Sequence, residues 1–439
     1  MAVRQSTPRL PLFPLTAEIS GKGHLMVGGC DTIELAGRFG TPLYIYDEAG
    51  LRGMCAAFRE EFGQRYPTTV IYASKAFMNR AMALLLKEEG LGLDVVSGGE
   101  ISIASAVDFP MDRLYFHGNN KSPQELELAL EKGVGRIVVD NFYELAMLER
   151  LAGEWGKKVD ILLRLTPGID PHTHRYNTTG TVDSKFGFTL TTWEQALAEA
   201  LTAPHLNLVG LHAHLGSSIF EVAPYREAIG ILLEFVARMK RQLNFEPREL
   251  DLGGGYAVQY TVDNPAPPIS DYAEVVTSTI RARCQELGLK EPHLVVEPGR
   301  SIVARSGMAL YTVGAIKDIP GVRRYVSVDG GMGDNIRYAL YGAKHEALIA
   351  DRPLAENEAR ITIAGKFCES GDILIKDIEL PPVASGDILA VPDCGAYCIP
   401  MSSNYNGYLR PAVIMVKDGK ARLIRRRESY DDLTSCDVV

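Results

Sequence analysis

Residues 70–100 read VIYASKAFMNRAMALLLKEEGLGLDVVSGGE, and this stretch decides the fold. A short apolar run, Val70–Ala73, is followed by apolar residues at helical spacing in Asn79–Glu89 and then by a second apolar run, Leu93–Val96. Short β-branched runs predict buried strands, and a helix between two of them is typical of a parallel crossover. The segment therefore predicts a strand, a helix and a second strand parallel to the first.

The same alternation continues from about residue 70 to residue 300. Six further apolar runs follow the first two: Leu114–Phe116, Arg136–Asp140, Ile161–Leu165, Val209–Ala213, Leu250–Leu252 and Leu294–Val296. Eight strands alternating with helices favour a (β/α)8 barrel, which we place at residues 44–304. A doubly wound open sheet also alternates, but it usually has fewer strands and a glycine-rich turn after the first.

The pattern changes after about residue 305, where apolar runs lie between Gly, Pro and Asp turns without regular helices. These runs are Ala309–Val313, Tyr325–Val328, Ile361–Ile363, Ile388–Val391 and Ala412–Val416. They predict a C-terminal all-β domain of residues 305–439, which the N-terminal segment 1–43 joins.

Composition limits the classes of function. The chain has 439 residues, 46% of them hydrophobic and 23% charged, and a formal net charge of -9. This charge argues against nucleic acid as a partner, and no apolar run is long enough to predict a membrane span. Seven cysteines in a chain of this length do not suggest a disulfide framework, and Met1–Leu15, with three prolines, does not resemble a signal peptide. We expect a soluble cytoplasmic protein.

Chemically useful residues follow several predicted strands. Lys75 comes after the first strand, Gly253–Gly255 after the seventh, and Glu297 after the eighth. Each also has an ordinary structural explanation. Lys75 could be a lysine with its ammonium in solvent, Gly253–Gly255 could be a tight turn, and Glu297 could belong to a structural ion pair. In barrel enzymes, however, the strand ends carry the chemistry and the last two loops often bind phosphate. A Schiff-base lysine, a phosphate loop and an acid for a ring nitrogen together describe a pyridoxal phosphate site.

Two other groups of residues have side chains that could bind a metal or act as an acid. His212 and His214 are two apart on a predicted strand, so they could share a face and bind zinc, but no further metal-ligand motif accompanies them. We expect no metal, and we expect one of these histidines to stack on the cofactor, with Ser217 near its phosphate. Cys368 and Glu369 lie together in a polar turn, where a thiol is able to act as an acid.

These motifs resemble those of the diaminopimelate decarboxylase family, which belongs to the fold type III pyridoxal phosphate enzymes. The segments that carry the resemblance are YASKAF, GLDVVSGGE, HGNNKS, GLHAHLGSS, DLGGG, EPGR, DGGMGDNIRYALYGA, CESGD and GAYCIPMSSNYN. They span residues 72–406 in the family's order, and CESGD with EPGR and ALYGA is more specific than the glycine run alone.

The resemblance implies a role for each matching residue. It implies that Lys75 binds pyridoxal 5'-phosphate covalently, that Glu297 holds the pyridine nitrogen and that Cys368 is the catalytic acid. The cofactor-binding residues it implies are Lys75, His214, Ser217, Gly254, Gly255, Glu297, Pro298, Gly299, Arg300 and Tyr397. The substrate-binding residues it implies are Arg300, Arg337, Tyr341, Glu369 and Tyr397. It also implies a homodimer in which Cys368 and Glu369 reach the site of the partner subunit.

The substrate implied by the resemblance is meso-2,6-diaminopimelate, which is converted to L-lysine and carbon dioxide. A second carboxylate on the substrate would need a cation, and Arg337 and Arg300 are available for it, although Arg300 could instead serve the phosphate. The main alternative is a decarboxylase of the same fold for ornithine, lysine or arginine. A racemase, an inactive regulator and a metal hydrolase are further alternatives.

Overall fold

The computed structural model describes residues 7–169 and 183–439. The chain divides into two compact units, which we call the barrel unit and the β unit. The barrel unit comprises Cys55–Ala257 and Ala266–Gly299, and the β unit comprises Met1–Met54, Val258–Pro265 and Arg300–Val439. The strand Leu43–Asp47, which crosses the boundary expected after residue 43, pairs within a sheet of the β unit.

Eight parallel strands form a closed barrel within the described part of the chain. In chain order they are Thr68–Ala73, Gly92–Val95, Leu114–Phe116, Arg136–Val139, Val159–Arg164, Leu206–His212, Glu249–Asp251 and His293–Val296. The eighth strand closes the barrel by pairing with the first, with Leu294 opposite Thr68. The predicted (β/α)8 barrel with a separate β domain is confirmed.

Helices follow the barrel strands, and local sequence signals fix their ends. They are Glu48–Gly63 before the first strand, and then Arg80–Glu88, Gly98–Ser105, Pro123–Lys132, Phe142–Glu154, Trp193–Thr202, Ala223–Leu243 and Ile269–Leu287. The helix Pro123–Lys132 begins with a capping box between Ser122 and Glu125 and ends at Gly133 in the left-handed conformation. Such caps satisfy the backbone groups that a helix end leaves unpaired, so they define where this helix begins and ends.

The barrel interior is filled by side chains that point inward from the strands. Its central cluster consists of Ile71, Tyr115, Val138, Leu162, Val209 and Val295. All six are almost completely buried, so the middle of the barrel is a packed core and contains no channel. Polar chemistry is therefore confined to the strand ends.

The β unit contains a nine-stranded sheet among its described residues. Its strands are Leu43–Asp47, Gly307–Ile319, Arg323–Val328, Leu348–Ile349, Ala359–Ala364, Ile373–Leu380, Ile388–Val391, Ala412–Lys417 and Lys420–Arg425. Leu43–Asp47 lies between Gly307–Ile319, to which it is antiparallel, and Ala412–Lys417, to which it is parallel. The N-terminal segment thus supplies an interior strand to this sheet.

Shorter elements complete the β unit. They are a three-stranded sheet of Glu18–Ile19, Leu25–Val27 and Cys30–Asp31, and the helices Thr32–Phe39, Arg300–Val303, Arg337–Tyr341 and Tyr430–Thr434. Across residues 7–169 and 183–439, no helix combines the length and the apolar character needed to cross a bilayer.

Candidate active site

Lys75 lies in a short 3-10 turn, Ser74–Ala76, directly after the first barrel strand. Its Nζ donates a hydrogen bond to Asp94 Oδ2 at 2.8 Å, and Asp94 ends the second strand with no exposed surface. The Lys75 side chain itself keeps 40% of its surface exposed. A buried carboxylate thus orients an accessible amine at the carboxyl end of the barrel.

Glu297 follows the eighth strand and meets two histidines from other strands. His117 Nε2 lies 2.9 Å from Glu297 Oε1, and His212 Nε2 lies 3.5 Å from the same oxygen. The two imidazoles meet edge to face, with their centroids 4.9 Å apart. Parallel strands bring these three side chains together because their carboxyl ends share one face of the barrel.

Two opposing effects act on the ionisation of Glu297: its burial and its contacts with His117 and His212. Burial alone would raise the pKa of Glu297, but His117 and His212 outweigh it and hold that pKa well below its usual value. The neighbouring Asp251 is also buried, and burial together with the charge of Glu297 raises its pKa well above normal. We therefore assign the negative charge of this pair to Glu297 and a proton to Asp251.

The loop Gly253–Gly255 packs against His214. The Gly254 N–H donates to His214 Nδ1 at 3.1 Å, so this nitrogen accepts and His214 is neutral. Burial, with the charge of Lys75, holds the pKa of His214 well below its usual value, which agrees with that state. A Cβ at Gly253, where φ is +67°, would stand 2.5 Å from His214 Nδ1, so only glycine fits.

Two further hydrogen bonds hold the loop Gly253–Gly255 in place. Tyr225 donates its hydroxyl to the Gly254 carbonyl at 2.6 Å, and the Ile219 N–H donates to the Gly255 carbonyl at 2.8 Å. The second contact ties this loop to the turn that contains Ser217, which is half-buried. The two loops expected to bind phosphate are thus joined through their backbones.

The buried polar atoms fit a pyridoxal ring and phosphate. Among the described residues, Glu297 Oε1 is buried and is contacted by His117 and His212, and the other ring nitrogen of His212, Nδ1, is buried without a hydrogen-bond partner. An ionised buried carboxylate suits a protonated ring nitrogen, and the glycine loop allows a phosphate to approach the backbone. The residues predicted for the cofactor in the barrel unit are therefore compatible with it.

The same cluster offers the geometry of a possible metal site. The ligand atoms of His117, His212 and Glu297 all lie within 4.8 Å of one another. This set differs from the one considered from the sequence, because His117 replaces His214, which faces Gly254. The expectation of no metal stays a prediction.

The β unit contains the residues predicted for the substrate, and several of them are in contact. Arg300 donates to the Tyr260 hydroxyl at 3.1 Å and lies 4.6 Å from the centre of the Tyr397 ring. Arg337 lies 4.1 Å from the centre of the Tyr260 ring and is only 4% exposed. Tyr341 donates to the sulfur of a methionine at 4.0 Å and remains partly exposed.

Cys368 and Glu369 project from a well-anchored turn of the β unit. Both side chains are exposed, and the Cys368 N–H donates to Asn406 Oδ1 at 2.8 Å. The buried carboxylate of Asp372 accepts from the backbone N–H groups of Met332 at 2.6 Å and of its own turn at 2.8 Å. The thiol is thus carried by a fixed backbone while it stays accessible.

Sequence reasoning missed several residues of the barrel cluster. Asp94 and His117 stand in the strand-end segments but received no role, and no contact of His212 with Glu297 was expected. Glu100 lies close to Asp94 and was also missed. Burial raises the pKa of Glu100 to about 7, and the charge of Asp94 adds to this rise. A polar residue at the end of an apolar strand was the available signal for Asp94 and His117.

Comparisons with known proteins agree with this geometry. A family described as "Pyridoxal-dependent decarboxylase, pyridoxal binding domain" matches residues 49–304. The diaminopimelate decarboxylase of Bacillus subtilis (strain 168) is 47% identical over 426 residues, which cover 96% of this chain and 97% of the relative. The chain belongs to the diaminopimelate decarboxylase family. The resemblance stated from the sequence motifs is thereby confirmed.

Solved structures of this family have the same fold. Diaminopimelate decarboxylase from M. jannaschii in complex with L-lysine is 35% identical, with a TM-score of 0.91 over 97% of this chain and 98% of that one. The Helicobacter pylori enzyme with L-lysine is 33% identical, with a TM-score of 0.84 over 92% and 98%. A lysine/ornithine decarboxylase from Vibrio vulnificus is 23% identical and shows the shared fold alone. The relatives at 40–47% identity are named diaminopimelate decarboxylase and do not favour the alternative substrates.

Proposed function

We propose that this chain decarboxylates meso-2,6-diaminopimelate to L-lysine and carbon dioxide with pyridoxal 5'-phosphate, in the last step of lysine biosynthesis. The observation that carries the proposal is the end of the barrel, where an accessible amine, Lys75, and an ionised buried carboxylate, Glu297, belong to one set of strand ends. The family's members and the L-lysine complexes of its solved structures support the choice of substrate and product.

The barrel unit would hold the cofactor. Lys75 would bind its aldehyde carbon, Glu297 would keep its ring nitrogen protonated, and His214 would pack a neutral ring against it. Ser217, Gly254–Gly255 and Pro298–Gly299 would hold the phosphate. The resemblance to the family adds Arg300 and Tyr397 to the cofactor-binding residues. When bound, the cofactor supplies a conjugated ring that accepts the electron pair of the broken Cα–carboxylate bond.

In this proposal, residues of the β unit orient the substrate and supply the proton that replaces the lost carboxylate. Breaking one chosen bond at Cα requires the rest of the substrate to be held in a fixed orientation. We assign the carboxylate that remains on the product to Arg300, Arg337 and Tyr341, and the distal ammonium to Glu369. The Cys368 Sγ then returns one proton to Cα.

A homodimer is part of this proposal, as is a location in the cytoplasm. The exposure of Cys368 and Glu369 on a fixed turn is compatible with their reaching the cofactor of a partner subunit. The resemblance to the family is the basis for this arrangement. Its test is given in the Discussion.

The substrate assignment can be tested by carbon dioxide release from meso-diaminopimelate, L-lysine, L-ornithine and L-arginine. We expect turnover with meso-diaminopimelate and at most traces with the other three. A preference for ornithine or lysine would contradict the proposal. Added pyridoxal 5'-phosphate in every assay ensures that cofactor loss does not imitate a change of substrate.

Replacing Arg337 by alanine is expected to raise KM for meso-diaminopimelate by about 10–100-fold, since a charge-assisted hydrogen bond to a carboxylate would be lost. Steady-state kinetics with the four amino acids measures the change. Arg323→Ala is the control, because Arg323 pairs with an aspartate elsewhere in the β unit. An unchanged KM in Arg337→Ala would remove Arg337 from the substrate site.

Replacing Glu297 by glutamine is expected to lower kcat by about 10–100-fold, because an ionised partner of the ring nitrogen becomes a neutral one. The absorbance of the bound cofactor should shift while its stoichiometry stays the same. Glu249→Gln is a suitable control, since Glu249 begins the seventh strand at the opposite end of the barrel. Equal kcat values for Glu297→Gln and the unaltered protein would reject this role.

A further inference from the structure

Two arginines of the β unit contact the same tyrosine. Arg300 Nη1 donates to the Tyr260 hydroxyl at 3.1 Å, and the Arg337 guanidinium lies over the ring of Tyr260, 4.1 Å from its centre. Tyr260 is in the short segment Val258–Pro265, which leaves the barrel unit after the seventh strand and joins the β unit. One side chain therefore contacts both cations. Its hydroxyl accepts from Arg300, which also lies 6.0 Å from the ring centre, and its ring face lies under Arg337.

His345 contacts both Arg337 and Tyr260. Arg337 Nη1 lies 3.3 Å from His345 Nε2, and the imidazole meets the Tyr260 ring edge to face, with centroids 5.8 Å apart. Burial, with the charge of Arg337, lowers the pKa of His345 to about 3, so the imidazole is neutral and its Nε2 accepts. Arg337 thus contacts an aromatic face and a neutral acceptor.

This arrangement bears on carboxylate recognition. A guanidinium binds a carboxylate best through two parallel hydrogen bonds, which requires its plane to be correctly oriented. An arginine also has several rotatable bonds, and fixing them before the substrate arrives reduces the entropic cost of binding. Cation–π contact with Tyr260 orients the guanidinium plane of Arg337 and leaves its hydrogen-bond donors on the edge of that plane.

We propose that Tyr260 is a positioning residue for substrate recognition, orienting Arg300 through its hydroxyl and Arg337 through its ring face. The pair of arginines then binds the carboxylate that the substrate keeps after decarboxylation. This inference rests on the proposed function, since it names the group that the two arginines hold. Tyr260 itself touches neither the reacting bond nor its proton.

The test compares two ligands that differ in that carboxylate. L-lysine retains it, and 1,5-diaminopentane lacks it while keeping both amines. Inhibition constants for the two are measured against meso-diaminopimelate in the cofactor-loaded protein and in the variants Tyr260→Phe and Tyr260→Leu. Tyr325→Leu is the matched control, because Arg323 lies over the half-buried Tyr325 ring in the same unit.

We expect Tyr260→Leu to raise the L-lysine inhibition constant and KM by about 10–100-fold, and Tyr260→Phe, which keeps the ring, by about 3–10-fold. The constant for 1,5-diaminopentane and kcat should change by less than about 3-fold. Tyr325→Leu should change neither constant.

Equal weakening of both inhibitors would show a merely structural role and overturn the inference, as would an unchanged L-lysine constant in Tyr260→Leu. If Tyr260→Leu does not fold, Tyr260→Phe decides alone by the same comparison. Failure of the proposed function itself has a separate signature, which is absence of carbon dioxide release from meso-diaminopimelate by the unaltered protein.

Discussion

Replacing Lys75 by alanine is expected to abolish covalent cofactor binding and to lower turnover by about 10⁴-fold or more, as removal of a covalent catalytic group commonly does. Lys75 is the accessible amine at the barrel end, and Asp94 orients it from a buried position. The purified protein should absorb near the visible range through the covalent link, and Lys75→Ala should lose that band.

Lys87→Ala provides the control for this experiment. Lys87 lies on the helix that follows the first strand and donates to a backbone carbonyl at 3.0 Å. This variant should keep both the absorbance band and turnover. Borohydride reduction followed by peptide mapping gives an independent readout, and an adduct on any lysine other than Lys75 would refute the assignment.

Replacing Cys368 by alanine is expected to slow turnover by about 10²–10⁴-fold, the range typical of a positioned acid. The cofactor band should persist, because the barrel residues that hold the cofactor are untouched. Cys436→Ala is the control, since Cys436 is the other exposed cysteine among the described residues. It should retain full turnover.

Mixing the two inactive variants tests the shared site. If Cys368 acts on the cofactor of the partner subunit, a hybrid of Lys75→Ala and Cys368→Ala subunits contains one intact site. A random mixture should then recover part of the activity, whereas each variant alone should not. No recovery, with subunit exchange demonstrated by mass spectrometry, would contradict a site built from two subunits.

Much of the fold could be predicted because one repeated pattern, a short apolar run followed by a helical segment, determines the barrel. Each barrel strand is a short apolar run rich in β-branched residues, some of which, such as Val138 and Val209, belong to the central cluster of the barrel. The predicted strand ends differ from the observed ones by a few residues, since polar residues such as Asn207 also pair in the ladder. Periodicity thus identifies the element but not its exact hydrogen bonds.

The candidate site was predictable only in part. Lys75 and Glu297 could be singled out because their position after a strand and their chemistry coincide. The contact of Tyr260 with Arg300 and Arg337 had no signal in the sequence, since it joins residues 40 or more positions apart through a segment that leaves one unit for the other. Side-chain contacts of this kind depend on packing that local patterns do not encode.

The interior strand Leu43–Asp47 has a consequence for synthesis on the ribosome. Its two neighbours, Gly307–Ile319 and Ala412–Lys417, emerge roughly 260 and 360 residues later. At about 5–20 residues per second, both edges of this apolar strand wait for tens of seconds before they are covered. During that interval the nascent chain presents an unpaired template to other chains, so chaperone supply, rather than the stability of the finished sheet, should govern the yield of folded protein at high expression.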